Sequence, residues 1–434
     1  MVEPSLRKAD GMPAELRLLF LSHYFPPEGN APASRVHAFC QRWARRPAER
    51  FATTVVTCAP NVPDGRVYEG YRNRLSQRET IDGIDVIRVW TYLAPNAGTV
   101  RRILNYVSYM ASATVRSLFL RRPDVVIATS PQFFCGWAGV LVSWLRWSPF
   151  ILEIRDIWPE SIVAVGAMKE GRLTRLLEWL EGRMYAAANH IVTVGEGYKS
   201  QLLAKGVPEG RISVITNGVD IRRLTPLPPE TALAARYNSD GRFVCSYIGT
   251  IGMAAGLEVV IRAAERFRQQ GRNDVRFLIV GDGATRERFA AQVEEAGLDG
   301  MIVVTGRQPK ELIPAFLSIS DCCLVHLRKT SLFETVLPSK IFEAAALERP
   351  IIMGVGGQAA ELIRGADCGI CIEPENDAEL VAAIDRLRAD PALRQHYGER
   401  GRKAVVAGYD VDRLAEDYAA LVQRVRSDWV AGRG

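Results

Sequence analysis

Short runs of aliphatic and β-branched residues alternate with longer amphipathic segments along the whole chain. No other feature constrains the fold as much. Leu16–Ser22, Phe51–Cys58, Ile84–Trp90, Asp124–Ser130, Phe150–Ile154, His190–Val194 and Ile212–Ile215 read as strands, being too short and too evenly apolar for helices. Arg35–Arg45, Arg172–Ala188 and Glu196–Lys205, set between them, carry apolar positions at helical spacing. Strands apolar on both faces and separated by helices predict a parallel sheet covered on both sides, an α/β fold. The alternation starts again after the exposed-looking Pro226–Glu230 (PLPPE), with strands at Phe243–Ile248, Phe277–Val280, Ile302–Thr305, Cys322–His326, Ile351–Met353 and near Ile370. At 434 residues the chain exceeds one typical core, so two α/β units joined at PLPPE are expected. Helices at Asp377–Arg388 and Asp412–Val425 close the chain.

Charge and composition exclude several classes. A net charge of +6, dispersed along the chain, gives no electrostatic footprint for nucleic acid. The eight cysteines form neither a zinc nor a disulfide pattern; Cys368-x-x-Cys371 and the adjacent Cys322 and Cys323 read as reduced core thiols of a cytoplasmic protein. The N-terminus carries charges and no cleavable signal. Val100–Leu120, apolar and aromatic between Arg101-Arg102 and Arg121-Arg122, suits docking on an anionic membrane surface; its competing role is a helix packed on the sheet. Phe133–Trp147 with Phe150–Ile154 approaches spanning length, but Arg146 and Ser148-Pro149 interrupt it, which favours a buried helix leading into a strand.

Ligand contacts in such sheets come from loops after the strands. The first loop, His23–Ser34 (HYFPPEGNAPAS), is one; another is Arg155, Asp156, Ile157, Trp158, Pro159 and Glu160. In the second half three strands run into glycine loops, at Gly249–Gly256, Gly281–Gly283 and Gly306–Gln308. The stretch VLPSKIFEAAALERPII follows. There Ser339 is placed to cap a helix, Lys340 falls in its first turn and Glu343 lies one turn on. A lysine at a helix start is unfavourable unless an anion faces it, so Lys340 and Glu343 suit a phosphate and an adjacent sugar hydroxyl. The Gly249 loop lacks the Gly-Lys-Ser/Thr ending of a P-loop, and no acid is placed to read a dinucleotide ribose. His23 and His326 read as packing residues, and Asp410-x-Asp412 as a helix cap.

The segments LFLSHYFPPEGNAPASR, IRDIWPES, NHIVTVGEGYKSQLLAKGV, ISVITNGVD, YIGTIGMAAGLE, LIVGDG, VTGRQP and VLPSKIFEAAALERP, in this order, resemble family four of the retaining glycosyltransferases. The likeness is to the bacterial subgroup acting in O-antigen, capsule or colanic-acid assembly, including transferases of N-acetylfucosamine. It implies GT-B architecture: two Rossmann-like domains facing across a cleft, at 1–225 for the acceptor and 226–405 for the nucleotide sugar, with 406–434 packing back on the first. It implies transfer of an N-acetylated or deoxy sugar, with retention, from a UDP-sugar to a lipid-linked saccharide at the inner face of the plasma membrane. No cofactor or metal is implied.

By the same resemblance Gly29 and Asn30 approach the donor diphosphate and acceptor, and Asp156 is catalytic. Gly249 and Thr250 lie by the donor phosphate, and Gly306 and Arg307 by the base. Ser339 and Lys340 hold the diphosphate, Lys340 with a catalytic role, and Glu343 binds the ribose. Two departures stand out. Thr335 occupies the position eight before Glu343 where the family has an acid, with Glu334 one residue off register. Met253, Ala254 and Ala255 replace the basic residues after the Gly249 loop, leaving Arg328 or Lys329 to assist Lys340. A nucleotide-sugar 2-epimerase and a non-catalytic scaffold of an assembly complex remain open alternatives.

Overall fold

The computed structural model describes residues 15–45, 51–62, 65–94, 99–130, 133–158, 171–238 and 240–432; Pro159 and Glu160 lie outside them. The first sheet has strands β1 (Leu16–Leu21), β2 (Phe51–Cys58), β3 (Ser76–Ile81), β4 (Ile84–Val89), β5 (Val125–Thr129), β6 (Phe150–Ile154), β7 (His190–Thr193) and β8 (Ile212–Val214). Their order is β3-β4-β2-β1-β5-β6-β7-β8. All neighbours are parallel except β3 and β4. Strand β3 (SQRETI) is absent from the sequence expectations because it has no apolar run. It is an antiparallel edge strand whose residues are exposed or half-buried throughout.

Helices α1 (Ala31–Arg45), α2 (Thr99–Leu118), α3 (Phe133–Arg146), α4 (Arg172–Ala187) and α5 (Glu196–Ala204) belong to this half. After the exposed PLPPE, Glu230 caps α6 (Thr231–Tyr237) by accepting from Leu233 N–H at 2.6 Å.

The second sheet is β9 (Phe243–Ile248), β10 (Val275–Val280), β11 (Ile302–Gly306), β12 (Cys322–His326), β13 (Ile351–Gly354) and β14 (Gly369–Cys371), in the order β11-β10-β9-β12-β13-β14, all parallel. Around it lie α7 (Glu258–Gln269), α8 (Arg286–Glu295), α9 (Ile313–Ser318), α10 (Lys340–Ala346), α11 (Gly357–Ala366), α12 (Asp377–Ala389) and α13 (Pro391–Gly408). The sequence expectations passed over α13, whose residues show weak apolar periodicity; Asp390 caps it, and Gly398 and Gly401 let it close on Glu348 and Ala345.

The last helix, α14 (Val411–Ala431), leaves this sheet and enters the core of the first, where Leu414, Tyr418 and Val422 pack with Phe39, Trp43 and Val55. Asp410 caps it, and Asp412 pairs with Arg42 and Arg222. All eight thiols are free and only Cys371 is not fully buried.

In each sheet the strand order reverses at one point, between β1 and β5 in the first and between β9 and β12 in the second. The crevice at such a reversal is where open α/β sheets take ligands.

Candidate active site

At the second crevice the loops after β9, β10 and β11 are welded backbone to backbone. Gly249 N–H donates to Val280 O (2.9 Å), Ile251 N–H to Asp282 O (3.0 Å) and Gly281 N–H to Gly306 O (3.1 Å). Gly281 has φ +148°, and a methyl group on it would lie 1.9 Å from the Gly249 carbonyl oxygen, so only glycine fits.

Lys340 reaches this junction from the far side of the crevice. Its Nζ sits 3.8 Å from the centroid of the Tyr247 ring, and a methyl on Gly249 would come within 3.0 Å of it. The ring face holds the ammonium electrostatically while leaving N–H donors for an oxyanion. Tyr247 O–H in turn donates to the Thr250 carbonyl (2.8 Å), so one side chain braces the loop and positions the lysine. Glu343, half-buried, shares with Lys340 a recess floored by Ile248, Cys323 and Val325. Burial raises its carboxyl above the usual range, and the charges of Lys310 and Lys340 oppose that rise.

The helix that carries Lys340 has only seven residues. Ser339 stands before it with helical dihedrals, and its hydroxyl makes no capping bond, contrary to the sequence expectation. The reason is local: Ile341 N–H bonds Pro338 O and Phe342 N–H bonds Ser339 O, so tight backbone turns take the donors that the hydroxyl would have capped.

Arg328 and Lys329 do not join Lys340. Arg328 bonds Glu258 (3.1 Å) and the Met253 carbonyl (2.7 Å), and Lys329 pairs with Glu373 at 2.5 Å. A paired guanidinium has little charge to lend. Gly306, at φ +71°, turns the chain toward Arg307, whose exposed side chain lies 3.7 Å from Asp282. Thr250 is exposed beside them.

Thr335 faces the first half: Gln201 Nε2 donates to its hydroxyl at 3.0 Å, and Gly197 is flush against it. Glu334 lies over the start of α11 at Gly356 and Gly357. His326 is a packing residue: Nδ1 donates to Ala255 O (2.7 Å) and Nε2 accepts from Glu375 N–H (2.8 Å).

The edge of the first sheet supplies the rest. Gly29 is exposed, with open space about its Cα, and Asn30 Oδ1 accepts from Ala33 N–H (2.9 Å), which makes Asn30 the cap of α1. Buried Glu28 ties this loop to the next by accepting from Asn61 and Val62 N–H (2.9 and 3.2 Å); burial pushes its carboxyl up to about 7. His23 is buried among Tyr24, Tyr106 and Tyr109 and held down to about 3, too low for a base near neutrality. Asp156 follows β6, its carbonyl accepting from Ser130 Oγ (3.2 Å) and its charge helping to raise the buried Tyr198 phenol.

The structure therefore gathers Gly249, Lys340 and Glu343 at one point, with Thr250, Gly306 and Arg307 on the welded loops. Gly29, Asn30 and Asp156 lie on the other sheet's edge. Two contributors escaped the sequence. Tyr247 was hidden in a strand, and Lys310 looked like a helix start; its Nζ bonds Ser34 Oγ of the first half at 3.0 Å while its charge acts on Glu343.

Residues 231–404 match the family described as glycosyl transferases group 1, and residues 30–218 match the glycosyl transferase 4-like domain. The 2-deoxystreptamine glucosyltransferase of Streptomyces kanamyceticus is 31% identical over 73% of this chain and 82% of its own. The chain belongs to the family four glycosyltransferases.

Escherichia coli K12 WcaI, named as a colanic acid biosynthesis glycosyl transferase, is 27% identical to this transferase over 81% of the present chain and 89% of its own. Among solved structures, sucrose-phosphate synthase from Thermosynechococcus elongatus superposes with a TM-score of 0.72 at 17% identity, covering 95% of this chain and 100% of that one. Anabaena HepE in complex with UDP-glucose gives 0.70 at 16%, covering 94% and 100%. The architecture of this glycosyltransferase is GT-B.

Proposed function

We propose that this glycosyltransferase moves a sugar from a UDP-sugar to a lipid-linked saccharide, with retention at the anomeric carbon and without a metal. One observation carries the donor assignment: an ammonium held against the Gly249 turn by an aromatic face, with a carboxylate one helical turn away. Lys340 and the loop amides meet the diphosphate and stabilise charge as it develops on the leaving phosphate. Glu343 takes the ribose hydroxyls, Ser339 and Thr250 flank the diphosphate, and the Gly306–Arg307 backbone meets the base. The departing phosphate, on the same face as the acceptor, takes the acceptor hydroxyl's proton, with Asp156, Gly29 and Asn30 lining the acceptor side. Among the described residues no three His, Cys, Asp or Glu side chains gather as a metal site. The lipid-linked acceptor, and a donor sugar that is N-acetylated or deoxy, rest on the polysaccharide-assembly resemblance. HepE supports UDP, whereas a mycobacterial relative, 24% identical over 90% of this chain, is named as GDP-mannose-dependent. Calorimetry with UDP and GDP, then transfer from a panel of UDP-sugars to lipid extracts with and without EDTA, tests this. We expect UDP to bind at least about tenfold more tightly, a difference of about 1.4 kcal/mol. Preference for GDP, product from donor alone, or EDTA inhibition reversed by magnesium would each overturn its part.

A membrane-facing surface fits this substrate. Among the described residues no helix is long and apolar enough to cross a bilayer. Instead α2 and α4 flank α3 and leave Val115, Phe119, Trp144, Trp147, Leu176 and Trp179 exposed. Arg121 and Arg122, just after α2, and Arg172 and Arg175, on α4, are exposed. The sequence expected α3 to be buried; its N-terminal part is, but Trp144 at its end and Trp147 just beyond are 78% and 66% exposed. Aromatic residues beside arginines suit an anionic interface. Trp144→Ala with Trp147→Ala should weaken co-sedimentation with phosphatidylglycerol vesicles by about tenfold, a cost of about 1.4 kcal/mol. Unchanged partitioning would exclude this surface.

A further inference from the structure

Arg155 stands immediately after β6, the strand next to β5 of the first crevice, close enough to Glu153 and Arg35 to feel both charges. Glu153 is fully buried and already engaged: Arg35 Nε lies 3.3 Å from its Oε1, and Thr129 Oγ1 donates to the same atom at 3.1 Å. Arg35 is satisfied further by the carbonyls of Ile215 (2.7 Å) and Thr216 (2.6 Å). Arg155 has no such provision. Its Nε and Nη1 are buried with no hydrogen-bond partner among the described residues.

The contrast with buried Arg88 is sharp. That side chain bonds Glu79, the Cys58 carbonyl (2.8 Å) and the Pro26 carbonyl (2.5 Å). Around Glu153, two guanidiniums share one carboxylate, which leaves a positive charge in a half-buried place. Burial pulls Arg155 down to about 10, with Glu153 opposing the fall and the like charge of Arg35 adding to it, so it stays protonated near neutrality. Unpaired buried charge is disfavoured in the empty protein and persists where a ligand completes it. Guanidinium donors in a planar fork match phosphoryl oxygens.

We propose that Arg155 is an anion-binding residue of the first half of the cleft, taking a phosphoryl oxygen of a bound substrate. This rests on the glycosyl-transfer reading, in which both substrates carry phosphoryl groups: the nucleotide donor and the lipid-linked acceptor. Lys340 serves the donor diphosphate from the second sheet, and Arg155 meets its anion from the first.

The test uses the full-length protein, its Arg155→Gln and Arg155→Lys variants, and three probes by calorimetry: UDP, farnesyl diphosphate and uncharged farnesol. Arg155→Gln should keep or raise the melting temperature of the ligand-free protein, because it removes an uncompensated charge. It should also lose at least about tenfold in affinity for one anionic probe and nothing for farnesol. Arg155→Lys retains the charge without the fork and should fall between, which separates anion binding from misfolding. Loss confined to farnesyl diphosphate supports the proposal and assigns the anion to the acceptor; loss confined to UDP supports it and assigns the donor. Unchanged affinity for both anionic probes, or a lowered melting temperature in the ligand-free Gln variant, overturns it. Failure of the wild type to bind UDP would instead count against the donor assignment at Lys340.

Discussion

Lys340→Ala is expected to weaken UDP binding by about ten- to a hundredfold, because a charge-assisted hydrogen bond contributes about 1.5–3 kcal/mol. Transfer should fall further, by about 10²–10³, if the ammonium stabilises the leaving diphosphate more than the bound donor. Stability should change little. The lysine is half-buried and its aromatic contact is worth about 0.5–1 kcal/mol at such sites. Calorimetry, steady-state transfer and thermal melting separate the three effects. Lys340→Arg should not restore the wild type, since the lysine end already lies close against Gly249 and a planar guanidinium needs more room. Full donor affinity and transfer in Lys340→Ala would show that the phosphate is held elsewhere.

Gly281→Ala should damage both stability and binding. The added methyl meets the Gly249 carbonyl at 1.9 Å, and φ +148° is strained for any residue with a side chain. Overpacking costs about 1–3 kcal/mol and backbone strain about as much again. A fall in melting temperature of roughly 5–10 °C is expected. Donor affinity should drop with it, because relieving the clash moves Gly249 away from Lys340 and breaks the Gly281–Gly306 bond. Gly29→Ala is the matched control for stability, since a methyl there meets nothing within 4 Å. Melting curves that do not differ between the two variants would refute this account of the loop junction.

The alternation of strands and helices was legible because parallel strands buried on both faces leave near-continuous apolar runs, as in VVIAT and in FILEI, broken only by Glu153. The polar edge strand β3 and the weakly periodic helix α13 leave no such mark. At the site, Lys340 was legible because its charge is out of place at a helix start. Ser339 misled for the same kind of reason, since the residue type fits a cap but the tight turn pre-empts it. Tyr247 could not be found this way, and Arg155 was legible only as one charge in the loop after a strand. What matters about each is what does or does not face it across the chain, the Lys340 ammonium for one and, among the described residues, no partner for two nitrogens of the other.

The return of α14 to the first sheet has a consequence for how the protein is made. Trp43 donates its indole N–H to the Ala415 carbonyl (3.0 Å), and Phe39, Trp43 and Val55 pack against residues more than three hundred positions later. Synthesis proceeds from the N-terminus, and domains tend to fold as they emerge. The first sheet therefore leaves the ribosome with an apolar face uncovered and waits for the end of the chain to seal it. A nascent chain halted before Val411 should present that face to chaperones, whereas one released after Ala431 should not.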